Sequence, residues 1–339
     1  MAATVKDVAR LAGTSIATVS YVISGNRYVS AELHARVRNA ATALGYQPSS
    51  VARGLREQRT RQIGMLLPDI TYPMYPQILR GAQDIARKAG YHVLLCNSGD
   101  DTEEVSYYVE ALCEQRVRGM IFTSATPECE PLLRKLQQGG EVPFVLVNRR
   151  IPDLASDFVG IDNYASAVTM MRHLLSLGYQ SIGLIGSRRS YSTIGARLRG
   201  YEEALATCGL SIDPALIRLD NTSEEGWYNA AQELLALPHR PRAIFATNDL
   251  AALRTMDAAY EVGLRVPEDV AVVGHDDLPF ASSHAVALTT MRVRLYELGI
   301  HAMKLLLERL EHPANELAEV ILPSELVVRR TCGAEMRHA

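Results

Sequence analysis

At 339 residues, with 47% hydrophobic and 22% charged side chains, the chain is too long for one ordinary core, and two or three soluble domains are expected. It holds no apolar run long enough to span a bilayer and no charged-then-apolar leader, and its five cysteines are scattered without a C-x-x-C pair; this argues against membrane, zinc-site and disulfide-framework classes and fits reduced thiols in the cytoplasm. The net charge of −3 hides an asymmetry: residues 1–62 hold nine Lys or Arg against three acids, a head of +6 on a body of −9, so only the head suits a polyanion.

Thr4 is placed to cap a first helix, with Asp7 in a capping-box position, and Val8, Leu11 and Ala12 fall on one apolar face. Gly13 ends that helix and Ser15 is placed to cap the next. In the second helix Val19, Val22 and Ile23 share a face, opposite Ile16, Ala17, Ser20 and Tyr21. Two short helices about a glycine turn make either an ordinary helical hairpin or a helix-turn-helix, whose second helix enters the DNA major groove. Ser30 caps a third helix over 31–44, with Leu33, Val37, Ala40, Ala41 and Leu44 as its stripe. Pro48 then opens a short segment over 47–61, marginal as an isolated helix and weakened by Gly54.

From residue 62 the pattern becomes short β-rich runs alternating with amphipathic helices. Strands are predicted over 63–67, 91–96, 119–123, 144–147, 158–161, 181–185, 243–246 and 270–273, with helices such as 74–89, 102–114, 164–177, 196–208 and 250–262 between them. A helix over 295–310 and short strands near 319–322 and 326–328 follow. Repeated βαβ units imply parallel sheets covered on both faces, and a span of this length implies two doubly wound lobes.

Eight blocks, in order, carry a resemblance: Val5-Lys6-Asp7-Val8-Ala9, Ala17-Thr18-Val19-Ser20, Leu44-Gly45-Tyr46-Gln47-Pro48, Val51-Ala52-Arg53, Arg197-Leu198-Arg199-Gly200-Tyr201, Ala246-Thr247-Asn248-Asp249, Val266-Pro267-Glu268-Asp269-Val270 and Gly274-His275-Asp276-Asp277. Across essentially its whole length the chain resembles the lac repressor/purine repressor family of bacterial transcription regulators. The resemblance implies a helix-turn-helix head (1–46), a hinge helix (47–61), and a two-lobed body like the periplasmic sugar-binding proteins (62–330), with a tail over 331–339. The chain would cross between lobes three times, giving an N-lobe of 62–161 plus 292–320 and a C-lobe of 162–291 plus 321–330.

The family's base-reading positions fall on Ile16, Ala17 and Tyr21, where Ile16 and Ala17 offer only apolar contact and Tyr21 lacks arginine's fork for guanine. Thr14, Ser15, Thr18, Ser20 and Asn26 are the phosphate-contact candidates. Leu55 matches the family's minor-groove wedge, flanked by Ala52 and Arg53. For an effector between the lobes, Arg197 and Asp276 match a guanidinium and a carboxylate able to hold sugar hydroxyls, with Asn248, Asp162 and Asn221 as further polar contacts and Met74 and Tyr75 as apolar ones. Phe280 and Trp227 suit either stacking or a core. Arg149, Arg150, Arg188 and Arg189 follow strand ends, a pattern that suits either solvated loops or a carboxylate- or phosphate-bearing ligand.

The expected partners are palindromic double-stranded operator DNA, a sugar-like effector and a second copy of the chain, with no membrane, metal or cofactor. Two other classes are weighed. A cytoplasmic sugar-binding protein without an operator does not explain the basic head. An enzyme on a doubly wound fold would be expected to carry G-x-G-x-x-G after a strand, G-x-x-x-x-G-K-[ST], G-x-S-x-G or metal-ligand spacing, none of which occurs.

Overall fold

The computed structural model describes residues 3–24, 28–46, 60–140 and 142–337. Two compact units divide at residues 61 and 62. The first holds α1 (Val5–Leu11), α2 (Ile16–Ser24) and α3 (Ala31–Ala43). Thr4 and Asp7 close a reciprocal capping box at the start of α1, and Gly13, at φ +59°, turns the chain after it. The enclosed core is small: Val8, Ala9, Ala12, Val19, Val22, Val37 and Ala40. Leu11 was expected on that face but is 57% exposed, because Ala9 and Ala12 carry the contact instead. Leu44 likewise lies at the rim.

The second unit contains two six-stranded sheets. The first has the order β11-β5-β4-β3-β1-β2, from β1 (Gln62–Leu67), β2 (His92–Asn97), β3 (Gly119–Thr123), β4 (Phe144–Val147), β5 (Asp157–Ile161) and β11 (Glu319–Leu322). All its pairings are parallel. The second has the order β12-β10-β9-β8-β6-β7, from β6 (Ile182–Ile185), β7 (Ile217–Arg218), β8 (Ala243–Ala246), β9 (Ala271–Asp276), β10 (Thr289–Val293) and β12 (Ser324–Val327). Only β12 runs antiparallel, against β10. Central strands such as β3, β4 and β8 are buried throughout, as parallel sheets covered by helices on both faces require.

Helices pack on each face. In the first lobe α4 (Met74–Lys88), α5 (Thr102–Glu114), α6 (Glu130–Gly139) and α11 (Leu295–Glu311) do so, and in the second α7 (Asn163–Ser176), α8 (Ser192–Thr207), α9 (Glu224–Leu235) and α10 (Asp249–Glu261). Helices α4 and α11 meet backbone to backbone. A Cβ at Gly81 would come within 2.0 Å of the Tyr296 carbonyl oxygen, and one at Gly299 within 1.9 Å of that of Ile78.

The first lobe crossing falls after Ile161 as expected, and the second and third fall two residues later than expected. β10 runs to Val293 in the second sheet, and β11 pairs with β5 up to Leu322 in the first. The expected polar tail also differs: Cys332 and Ala334 enter the second lobe's core.

Candidate functional sites: a nucleic-acid interface and an inter-lobe cleft

The head's second helix presents Ser15, Ile16 and Ala17 to solvent, with Ile16 44% exposed. Thr14, Thr18, Ser20 and Tyr21 are half-buried along the same helix and its approach. Ser15 is engaged as a cap: its Oγ accepts the Thr18 amide at 3.1 Å and lies 2.9 Å from the Thr18 hydroxyl. Asn26, Ala52, Arg53 and Leu55 lie outside the described residues. Arg36 on α3 donates to the carbonyl oxygens of Ala12 (2.6 Å) and Gly13 (3.3 Å), tying down the C-terminal end of α1. Its task is set by the 24-residue separation, which no local pattern reveals.

In the body, side chains from the carboxyl ends of the parallel strands converge on one cleft between the lobes, where open α/β sheets place their ligands. The cleft has about 170 Å³ of free volume. Asp69, Tyr72, Met74 and Tyr75 follow β1, Asp100 follows β2, and Asn148 and Arg149 follow β4. From the second lobe come Ser187, Tyr191, Thr193, Ile194 and Arg197 after β6, Thr222 and Trp227 after β7, Asn248 after β8, and Asp276 at the end of β9. Asp100, Asn148 and Asp276 hold positive φ angles of 57°, 69° and 120°, backbone strain that aims side chains into the space.

Five of the seven expected effector residues line the cleft: Met74, Tyr75, Arg197, Asn248 and Asp276. Two do not. Asp162 is exposed and caps α7, accepting the Ala165 amide at 2.9 Å; its neighbour Asn163 reaches inward and receives Arg197 Nε at 2.9 Å. Asn221 turns its side-chain amide to the Leu219 carbonyl and its own carbonyl to Trp227 Nε1, while the next residue, Thr222, lines the cleft. At Asn221 the adjacent residue lines the cleft, while at Asp162 the adjacent residue reaches it only through Arg197.

The floor is a polar network. Arg197, 5% exposed, donates to Asn163 and to the Thr247 carbonyl. Burial pushes its guanidinium pKa down, and the nearby Asp276 opposes that. Asp276 takes the His275 ring Nδ1 at 3.0 Å on one oxygen and the Tyr72 hydroxyl at 3.2 Å on the other. A carboxylate only accepts, so His275 carries its proton on Nδ1, and Nε2, 2.8 Å from Ser166 Oγ, accepts from that hydroxyl. Burial, reinforced by the Arg197 charge, holds the His275 pKa down at about 4 against the pull of Asp276. Burial likewise raises the Tyr75 phenol to about 12. Asp249, behind the floor, is pushed well above the carboxylate range by burial and by Asp276.

Arg149 is the one strand-end arginine that joins the cleft. Its side chain is 12% exposed, bonds Asp100 at 3.0 and 3.1 Å, and stacks 3.7 Å over the Tyr191 ring. Arg150 instead covers Phe158 and pairs with Glu319. Trp227 lines the cleft, while Phe280 packs on the first lobe's core. Tyr72, Asp100 and Tyr191 were not singled out from the sequence. Each follows a predicted strand, so applying the strand-end rule to every strand would have found them. Among the described residues no group of three or more His, Cys, Asp or Glu could hold a metal, and no helix is long and apolar enough to cross a membrane.

Comparison with known proteins assigns both parts. Residues 4–49 match the bacterial regulatory proteins of the lacI family, and residues 171–332 match the periplasmic binding protein-like domain. The HTH-type transcriptional regulator RegA of Clostridium saccharobutylicum is 35% identical over 332 residues, covering 98% of this chain and 99% of its own. The ribose operon repressor of Escherichia coli (strain K12) is 33% identical over 327 residues, covering 96% and 99%. The crystal structure of the lac repressor dimer bound to operator and the anti-inducer ONPF aligns with a TM-score of 0.87 at 27% identity, over 98% of this chain and 99% of that one. These relatives are transcription regulators rather than enzymes. Carrying a basic three-helix head and a two-lobed body with a strand-end cleft, and matched from end to end by such relatives, the chain belongs to the lacI family of bacterial regulatory proteins and is a DNA-binding transcription regulator.

Proposed function

We propose that the chain is a cytoplasmic repressor without enzymatic activity, working as a C2 dimer on a palindromic operator, and that a neutral sugar bound between its lobes sets its operator affinity. The observation that carries the effector reading is the cleft floor, where the Asp276 carboxylate, Arg197 and Asn248 stand beside the rings of Tyr72, Tyr75 and Trp227. Carboxylate and amide groups suit hydroxyls, and aromatic faces suit the C–H faces of a sugar ring. The similarity to a ribose operon repressor supports the same class. A phosphorylated or carboxylated effector is disfavoured. Arg149 is already neutralised by Asp100, and Arg197 is committed to Asn163 and Thr247.

In the head we assign base contacts to Ile16, Ala17 and Tyr21, and phosphate contacts to Thr14, Ser15, Thr18, Ser20 and Asn26. Ala52, Arg53 and Leu55 are assigned to a minor-groove hinge. Supporting this is the solvent-facing row Ser15, Ile16 and Ala17 at the start of α2, the end of a recognition helix that meets base edges. A dimer follows from operator symmetry, since one head reads one half-site. For the effector to regulate, it must bind one lobe arrangement better than the other.

Fluorescence anisotropy on DNA from upstream of the chain's own gene tests this, with neutral sugars and their phosphates added in turn. Saturable binding that survives excess random DNA and is shifted by one neutral sugar is expected. A shift by phosphorylated sugars alone would overturn the neutral-effector reading.

A further inference from the structure

We infer that Tyr72 and Tyr191 form a two-point clasp across the cleft, each phenol of one lobe closing on an aspartate of the other and competing with a bound hydroxyl for that aspartate. This rests on the reading of the cleft as the effector site. Tyr72 belongs to the first lobe and donates to Asp276 of the second at 3.2 Å. Tyr191 belongs to the second lobe and donates to Asp100 of the first at 3.1 Å. The two bonds therefore run in opposite directions between the lobes. A third inter-lobe contact, from the Arg150 amide to Ser192 Oγ at 2.8 Å, lies one residue from Tyr191 in the chain.

Both clasps are charge-assisted and shielded. The Asp100 end is reinforced by Arg149, which bonds the carboxylate and stacks on the Tyr191 ring. At the other end His275 already holds one oxygen of Asp276, so the oxygen that Tyr72 takes is the one left for a ligand hydroxyl. The chain thus supplies its own hydroxyls to the carboxylates an effector would use. Closure is then a property of the protein, and the effector gains only the difference between its contacts and those it displaces. A phenol–carboxylate bond of this kind shifts a two-state ratio by about tenfold when removed.

The chain's single tryptophan, Trp227, lines this cleft and is 5% exposed, so it reports opening directly. The test is acrylamide quenching of Trp227 in the full chain with no sugar present. It compares wild type with Tyr72→Phe, Tyr191→Phe and the double variant. Each substitution keeps the ring and removes only the hydroxyl. Tyr296→Phe, which removes an exposed bond to Asp84 within the first lobe, is the control. The double variant is expected to quench about twofold more steeply than wild type, with the single variants between and the control unchanged, at equal far-UV circular dichroism. Quenching equal to wild type in the double variant overturns the clasp, as does an equal rise in the Tyr296→Phe control. A double variant that has lost secondary structure is set aside for the two single variants, whose unchanged quenching overturns it equally. No sugar enters the experiment, so failure of the sugar-effector reading would show separately, in the anisotropy titration.

Discussion

The head and the cleft solve recognition by opposite constructions. The head uses residues close in sequence: the solvent-facing row at the start of α2 lies within one helix, and the head's core is seven small side chains. The cleft gathers residues from Asp69 to Asp276 at the ends of strands from two sheets, over cores many times larger. A local site is simple to alter, because an exposed residue such as Ile16 can change without opening a core. A convergent site is bound into its cores, so its specificity and its stability are hard to separate.

That contrast can be broken, most forcefully at Arg197. Arg197→Met leaves Asn163 and the Thr247 carbonyl without their donor, and Asp276 without a nearby positive charge, in a buried place. We expect a loss of about 3 kcal/mol in urea unfolding followed at Trp227, together with loss of any sugar response. Hydrogen exchange over residues 5–43 should not move. Protection lost in the head as well would show that the regions are not independent.

A smaller effect is expected at His275, and its sign follows from burial. The ring's folded pKa, about 4, lies below the ordinary 6.5, so its contribution is complete above pH 6.5 and is lost as pH falls towards 4. Asp249, raised by burial and Asp276, acts with the opposite sign, gaining stability as pH falls. The informative quantity is therefore a difference between proteins. Between pH 7 and 5.5 wild type should lose about 1 kcal/mol more than His275→Asn. Equal slopes would mean that the ring is not held neutral.

Arg36→Ala probes the head alone. Losing its bonds to Ala12 and Gly13 should cost about 1 kcal/mol, read as faster amide exchange in α1 and α2, while the Trp227 unfolding curve stays in place. The smallest change is Ser15→Ala. Loss of its cap should cost about 0.5–1 kcal/mol in the head and weaken operator binding without altering which sequence is preferred. A changed preference would assign Ser15 a base contact.

How far the sequence was legible follows the same division. Period-3.6 spacing located Val8, Val19 and Val37 in the head core, but it could not say that Ala9 rather than Leu11 completes the contact. Runs of apolar residues located the doubly buried strands. The strand Thr289–Val293 escaped, because Thr289, Thr290 and Arg292 interrupt the apolar run that marks a buried strand, the two threonine hydroxyls being satisfied by the Arg329 carbonyl and Asp249. Of the residues that the family resemblance implied, Arg197, Asn248 and Asp276 line the cleft, whereas capping and turn geometry hold the side chains of Asp162 and Asn221 in local bonds. For Tyr72, Asp100 and Tyr191 the strand-end rule gives the position but not the pairing, because the bonded partners lie 204 and 91 residues away.

The passages between the lobes have a mechanical consequence. Each is a single residue between regular elements: Asp162 between β5 and α7, Arg294 between β10 and α11, and Pro323 between β11 and β12. A body tethered to another at one point can swivel about any axis. Three separate tethers, each one residue long, remove most of those freedoms. What remains resembles a book's spine, along which the halves rock but do not slide. Motion so restricted turns the many ways a molecule could touch the cleft into one coordinate, and a single coordinate is what a two-position switch requires.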